Sequence, residues 1–486
     1  MAWTSFAGSR LGSVILFLLF VATEVQAQKI VARQTVERMI ASQFMDECVN
    51  QSYFFTLYKN RLNDISSLDM VDIAQGSTWQ YSIPDDHYWV GVHHYEKELG
   101  LVLVQYGANL DSLYFKELIY APGQGWKESR LLGSLSYSSK NRRPKMRLLE
   151  KDDWVGVVST QATYWSKEIV TLRWKEQGGQ LTDQVDMNWK LPIAESTANL
   201  ERWELDGQGN FWLMSGNNRR PQPKMDLSQL VKTELIHLNV AKKHAQQWDL
   251  ILGQRSLREV FFLQDQGDFL RCIATFSNSG KEQIDGAIVY DLSSREESVK
   301  QQHLIEIEQP EAGVPWIAQQ VMVDSLGGFW IWGEEYYYKE VRSMDRMNGQ
   351  PTGPVTVQYQ EYFEDVYGWH VNAKLETDTL VVLPKKQVGM ELDGASFSVS
   401  WQNGPLVRFN DHSGSRPELG EIKEWSGQRT VLRSYWQEGN TWKSEAKDMQ
   451  DLNERGNGNV LRLPLDMANG RAGIFLSGNY FLICTE

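Results

Sequence analysis

Asp206-Gly-Gln-Gly-Asn-Phe-Trp-Leu213 and Asp324-Ser-Leu-Gly-Gly-Phe-Trp-Ile331 share one pattern: Asp, two residues, Gly, one residue, then Phe-Trp-aliphatic. Between them lies a degraded copy, Asp265-Gln-Gly-Asp-Phe-Leu270, so that Phe211, Phe269 and Phe329 are spaced by 58 and 60 residues. An Asp/Gly cluster builds a tight turn in which glycine supplies a positive φ at little steric cost. The aromatic-aliphatic run that follows is apolar at consecutive positions, which suits a strand buried on both faces. Self-similarity at a fixed period marks a repeat architecture.

The series extends in both directions. Upstream, Asp152-Asp-Trp-Val-Gly-Val157 echoes Asp85-Asp-His-Tyr-Trp-Val-Gly-Val92, and downstream Asp393-Gly-Ala-Ser-Phe-Ser-Val399 keeps the acidic-Gly-aromatic order. Gly473-Ile-Phe-Leu-Ser-Gly478 supplies a looser further copy. Alternating segments such as Leu101-Val-Leu-Val-Gln-Tyr106 and Glu168-Ile-Val-Thr-Leu-Arg-Trp174 lie between the copies. A unit of this size holds four short strands, the content of one propeller blade. The expectation is therefore an all-β chain, a β-propeller of six four-stranded blades with a seventh position at Gly473. Residues 76–486 form the repeat domain. Residues 28–75 are an N-terminal segment, with helix-like apolar spacing over 31–47 and then first or closing strands.

Composition agrees. The 486 residues are 42% hydrophobic and 23% charged, with 19 Trp, 19 Tyr, 18 Phe and 38 Gly. The net charge of −13 argues against nucleic acid, whose phosphates call for a basic surface. Residues 1–27 read as a signal peptide: Arg10, an apolar run over 11–22, and small residues ending at Ala27. That run of about 12 residues is shorter than the ~20 a membrane-spanning helix needs. The expected location is periplasmic, cell-surface or extracellular. Cys48, Cys272 and Cys484 allow at most one disulfide within the chain.

Gly333-Glu-Glu-Tyr-Tyr-Tyr338, Tyr362-Phe-Glu-Asp-Val366, Leu383-Pro-Lys-Lys-Gln387 and Phe409-Asn-Asp-His412 follow one another in an order that resembles a family of exported propeller-like proteins of Bacteroidota. The family's Asp-Gly and Trp between the second and third elements are replaced here by Glu376-Thr-Asp-Thr379. The resemblance implies a propeller fold and export, and it brings no activity.

No nucleophile elbow, phosphate loop, dinucleotide fingerprint or zinc-protease motif is present. Asp85, His87 and His93 share one strand face by parity, a metal reading that needs a further ligand from elsewhere. Adjacent carboxylates at Glu334, Glu335, Glu361, Glu364 and Asp365 invite comparison with the acid pairs of glycosidic cleavage, whose role depends on their separation in space. The element Asn141-Arg142-Arg143-Pro144-Lys-Met recurs as Asn218-Arg219-Arg220-Pro221-Gln-Pro-Lys-Met, and such Arg pairs grip carboxylates or sulfates. Acidic or turn-like surroundings single out Tyr336, Tyr338 and Trp369 as exposed aromatics.

These observations favour an exported, non-enzymatic propeller that binds a protein or polysaccharide of the envelope or surroundings. The binding candidates are Arg142, Arg143, Arg219, Arg220, Tyr336, Tyr338 and Trp369. The alternative is a carbohydrate-binding protein, or a propeller glycosidase or lyase using acidic residues near the channel. No cofactor is called for, although the Asp-Gly turns leave room for structural calcium.

Overall fold

A strand with large apolar side chains at consecutive positions must be covered on both faces, and the strand pairing shows how. The computed structural model describes the strands and the shorter connections between them. Residues 1–28, 137–144, 192–199, 217–232, 308–315, 390–396 and 449–459, with several shorter loops, lie outside the described residues. The described chain is all-β, and its one helical element is a single 3-10 turn at Pro417–Leu419.

The strands form eight separate antiparallel sheets, six of four strands and two of five. In chain order, sheets 1 to 7 take residues 42–83, 87–136, 145–191, 200–250, 256–306, 316–389 and 397–448. Sheet 8 combines the strands of residues 460–485 with Lys29–Thr35. That N-terminal strand pairs antiparallel with Tyr480–Thr485, Lys29 opposite Thr485, so both ends of the described chain share one sheet.

From sheet 2 to sheet 7, each sheet packs face to face on the next. In sheet 4, Phe211 and Leu213 point toward sheet 3, beside Trp154 and Trp189. Trp212 and Met214, one residue out of step, point toward sheet 5 and meet Cys272 and Phe276. Sheet 6 repeats the device: Phe329 and Ile331 face sheet 5, while Trp330 and Trp332 face sheet 7. A further apolar layer joins sheets 2 and 3 around Phe115 and Trp174. Burying one such side chain stabilises by roughly 2 kcal/mol. First strands of successive sheets also touch, from sheet 2 through sheet 6 and again between sheets 7 and 8.

The Asp-Gly turns connect first strands to second strands. The Asp206 Oδ1 atom accepts the N–H groups of Gln208 and Asn210 at 2.9 and 2.8 Å, and Gly209 sits at φ +75°. Asp324 Oδ1 does the same for Leu326 and Gly328 at 2.7 and 2.9 Å, with Gly327 at φ +84°. This is a turn closed by a left-handed residue, the geometry of a hairpin with a bulge.

Two expectations need correction. Residues 31–47 carry no helix in their described part: they fall in the strands Lys29–Thr35 and Ser42–Val49. Pairing of these strands with Tyr480–Thr485 and Tyr53–Asn60 decides the conformation there, over the local spacing. The sequence series also counts fewer units than the eight sheets. The copies at Asp85 and Asp393 lead into the first strands His87–His94 and Phe397–Trp401 instead of second strands. Sheet 1 has no copy. An acidic start followed by an aromatic strand does not reveal which strand of a sheet is starting.

The two turn glycines differ in surroundings. A Cβ at Gly209 would lie 2.5 Å from the Trp154 ring, whereas at Gly327 its nearest neighbour is Ala373 at 4.0 Å. Thermal unfolding should show G327A costing about 1–2 kcal/mol, the left-handed penalty alone. G209A should cost clearly more, because the Trp154 ring must also move.

Candidate binding surface

Sheet 6 contains two strands far longer than their neighbours. Phe329–Met347 has 19 residues and Gln350–Val371 has 22, while the flanking strands Trp316–Val323 and Thr377–Leu383 have 8 and 7. The flanking pairing ends at Trp316↔Glu335 on one side and Val366↔Leu383 on the other. Gln387–Gly389 lines only Glu361–Phe363. Beyond Glu335 the long pair therefore continues as a ribbon past the body of its sheet.

Register and alternation sort the ribbon's side chains. Tyr337 opposes Tyr362, and Lys339 opposes Gln360. The two tyrosine rings stack at 5.1 Å with 6° between planes, and Lys339 Nζ lies 4.9 and 4.6 Å from their centroids. On the opposite face Tyr336 opposes Phe363, Tyr338 opposes Glu361 and Glu340 opposes Tyr359. Tyr336 OH donates to Glu361 Oε1 at 2.8 Å. Tyr338 and Tyr359 are 57% and 64% exposed.

Of the sequence candidates, Tyr336 and Tyr338 are thus brought together on one ribbon face. Trp369 is not a surface residue. It is fully buried between sheets 5 and 6 and stacks on Trp316 at 4.0 Å. The neighbouring Gly368 makes room for the Trp332 ring, which a Cβ there would strike. Arg142, Arg143, Arg219 and Arg220 lie outside the described residues.

Of the carboxylates, Glu334, Glu335 and Asp365 are engaged within the protein. Glu334 is fully buried and accepts from Lys385 Nζ and Gln319. Glu335, on the other side of the strand, accepts the Tyr367 hydroxyl. Asp365 accepts the Lys385 backbone N–H at 3.0 Å. Burial pushes the Lys385 ammonium down, against the opposing pull of Glu334. Gln387 and Asn410, two of the residues behind the family resemblance, are buried and connect sheets 6 and 7. Gln387 Nε2 donates to the Asn410 carbonyl at 2.6 Å, and Asp411 pairs with Arg433 in the interior.

The histidines are placed differently from their parity. A bulge between Trp89 and Gly91 shifts the register, so His87 opposes Gln105 while His93 opposes Gly100. His93 is buried against Glu117, which also pairs with Arg130, and His87 meets Lys116 Nζ at 3.4 Å. Among the described residues no group of three or more His, Cys, Asp or Glu could hold a metal ion.

Sequence reading missed a repeated Asp-Trp-His cluster. In sheets 4 and 6 a histidine in the third strand opposes the Trp of the repeat, as His237 opposes Trp212 and His370 opposes Trp330. His237 stacks on Trp212 at 4.2 Å, and Trp212 Nε1 donates to Asp206 Oδ2 at 3.2 Å. His370 lies between Asp324 at 2.7 Å and Asp378 at 2.6 Å. The histidine follows its Asp by 31 residues in one sheet and 46 in the other, because the ribbon intervenes, so no fixed spacing announces the cluster.

The first strands carry charges between sheets. Arg202 Nη2 donates to Glu259 Oε2 at 3.1 Å. Burial pushes the Glu204 carboxyl up to about 7, with Lys151 opposing the shift.

No family model matches the chain, and no curated protein matches it. Among solved structures it is similar to the β-propeller domain of the Trilobed protease from Pyrococcus furiosus, at 7% identity and TM-score 0.37, over 83% of this chain and 95% of that one. It is also similar to the polysaccharide lyase Uly1, at 7% identity and TM-score 0.35, over 82% and 90% of the two chains. A prolyl endopeptidase aligns at 10% identity and TM-score 0.36 over 82% of this chain, which spans 46% of that protein's length.

Two measurements follow from this geometry. An acid whose folded value is raised stabilises fully below its unfolded value, 4.5 for Glu204, and that stability is lost as pH rises toward about 7. E204Q should therefore gain on the order of 2–3 kcal/mol relative to wild type between pH 5 and pH 8 in denaturant titrations. Asp206 and Asp324 direct carboxylate oxygens to N–H donors, so exhaustive chelation should leave the melting temperature unchanged. A drop reversed by calcium would instead place an ion at the turns.

Proposed function

We propose that this chain is an exported, eight-bladed β-propeller that acts as a binding module for a macromolecule of the envelope or its surroundings. Each of the eight sheets is read as one blade. Face-to-face packing from sheet 2 to sheet 7, touching first strands and a last sheet shared by both ends of the described chain support that reading. Closing a ring through a composite sheet leaves only short, protected edges.

The observation that carries the function is the sheet-6 ribbon. A sheet needs no such extension to pack its core, and the extension presents Tyr338 and Tyr359 to solvent. Exposed aromatics on a rigid support are favoured contact residues. Against catalysis, the acidic residues nearest the ribbon are committed to Lys385, Tyr336 and Tyr367. The same exposed rings support a second reading, a carbohydrate-binding protein, since a tyrosine face can lie on the apolar side of a sugar.

Replacing residues 338–361 with Asn-Gly closes the hairpin at the Tyr337–Tyr362 pair with a favoured two-residue turn. The shortened protein should keep its cooperative melting transition and lose the partner that the full chain captures from native envelope extract. Capture of the same partner by the shortened protein would remove the ribbon from the function.

A further inference from the structure

The open face of the ribbon is a checkerboard of two tyrosines and two carboxylates. Tyr338 stands opposite Glu361, which also accepts the Tyr336 hydroxyl at 2.8 Å, and Tyr359 stands opposite Glu340 in the next position along. The two tyrosine rings meet edge to face across the diagonal, with centroids 6.1 Å apart and 85° between planes. They form two walls of a corner instead of one flat platform. A flat platform suits the face of a sugar ring, whereas perpendicular rings flanked by negative charge suit a compact cation.

The opposite face shows that interaction made from within. There Lys339 Nζ covers the Tyr337 and Tyr362 rings at 4.9 and 4.6 Å. Among the described residues no lysine or arginine stands over Tyr338 or Tyr359, and both rings remain more than half exposed. The net charge of −13 adds long-range attraction for a basic partner.

We infer that this face binds a lysine- or arginine-bearing segment of a partner protein, with a cationic head group against Tyr338 and Tyr359 and its charge met by Glu340 and Glu361. The inference rests on the ribbon being the docking element and specifies the chemistry of what docks.

The test uses the full chain and a fluorescein-labelled deca-lysine peptide, titrated at low and at physiological salt. Y338L/Y359L leaves every charge in place and removes both π-faces. It should weaken deca-lysine binding about tenfold while its melting curve stays near wild type, and Y338L alone should show part of the loss. E340Q/E361Q should also weaken binding and flatten the salt dependence. A trimethyl-lysine version of the peptide should still bind, because a quaternary ammonium keeps its attraction to the rings without any N–H donor.

Equal binding of deca-lysine by wild type and Y338L/Y359L would overturn the inference, leaving only the general attraction of an acidic protein. So would a neutral hexasaccharide that needs both tyrosines while deca-lysine does not. Self-association in light scattering, abolished by Y338L/Y359L with no deca-lysine binding, would assign the face to a second copy and equally overturn it. The shortened hairpin separates the two levels. If it loses the macromolecular partner but deca-lysine binding is unchanged, the cation site falls and the docking role stands. If it keeps the partner, the docking role falls as well.

Discussion

Two-sided burial of the second strands is the constraint on which the rest of this structure depends. Phe211 and Trp212 are neighbours in sequence and fully buried, yet they belong to different inter-sheet layers. The same holds for Phe329 and Trp330. A single sheet offers no such environment, since one of its faces would be wet. Sheets 4 and 6 therefore each need a neighbour on both sides, which sheets 3, 5 and 7 supply. The strand Lys29–Thr35, added to the sheet that contains Tyr480–Thr485, joins the two ends of the described chain by strand pairing.

Within those apolar layers the sheets are also tied by polar groups, and these raise the cost of error. Glu334 with Lys385 and Asp411 with Arg433 are charged pairs with almost no solvent contact. Such pairs add little net stability over apolar residues of the same size, but removing one partner strands the other charge. The first lies within sheet 6 and the second within sheet 7, while the Gln387 side chain, donating to the Asn410 carbonyl, ties the two sheets together. The Gln320 side-chain amide adds a further link, donating to the Val399 carbonyl at 3.0 Å and accepting its N–H at 3.3 Å. This part of the molecule is well braced, and it is where the ribbon departs. A rigid base lets a two-stranded extension hold its side chains in a defined arrangement.

The fold class and the turns were legible in sequence because they follow from local rules. Asp and Gly at fixed offsets need a particular backbone, and Phe-Trp-aliphatic runs need cover on both faces. The number of sheets was less legible, because sheet 1 lacks the repeat signal and two copies fall one strand early. The exposed character of Tyr338 was legible from its acidic neighbours. The burial of Trp369 was not legible, since its turn-like surroundings lie inside a strand where Gly368 admits the Trp332 ring.

What the sequence determined by itself was the strand content and the position of the Asp-Gly turns, all of which depend on residues a few positions apart. What only the tertiary structure decided was the pairing of distant groups. Lys385 reaches Glu334 across 51 residues, and His370 reaches Asp324 across 46. The bulge at Trp89 and Gly91 separates two histidines that parity would unite. The lengths of neighbouring strands, not the tyrosines themselves, decide that the ribbon outruns its sheet. Register, strand length and inter-sheet contact are set by the whole packed chain, and no local spacing encodes them.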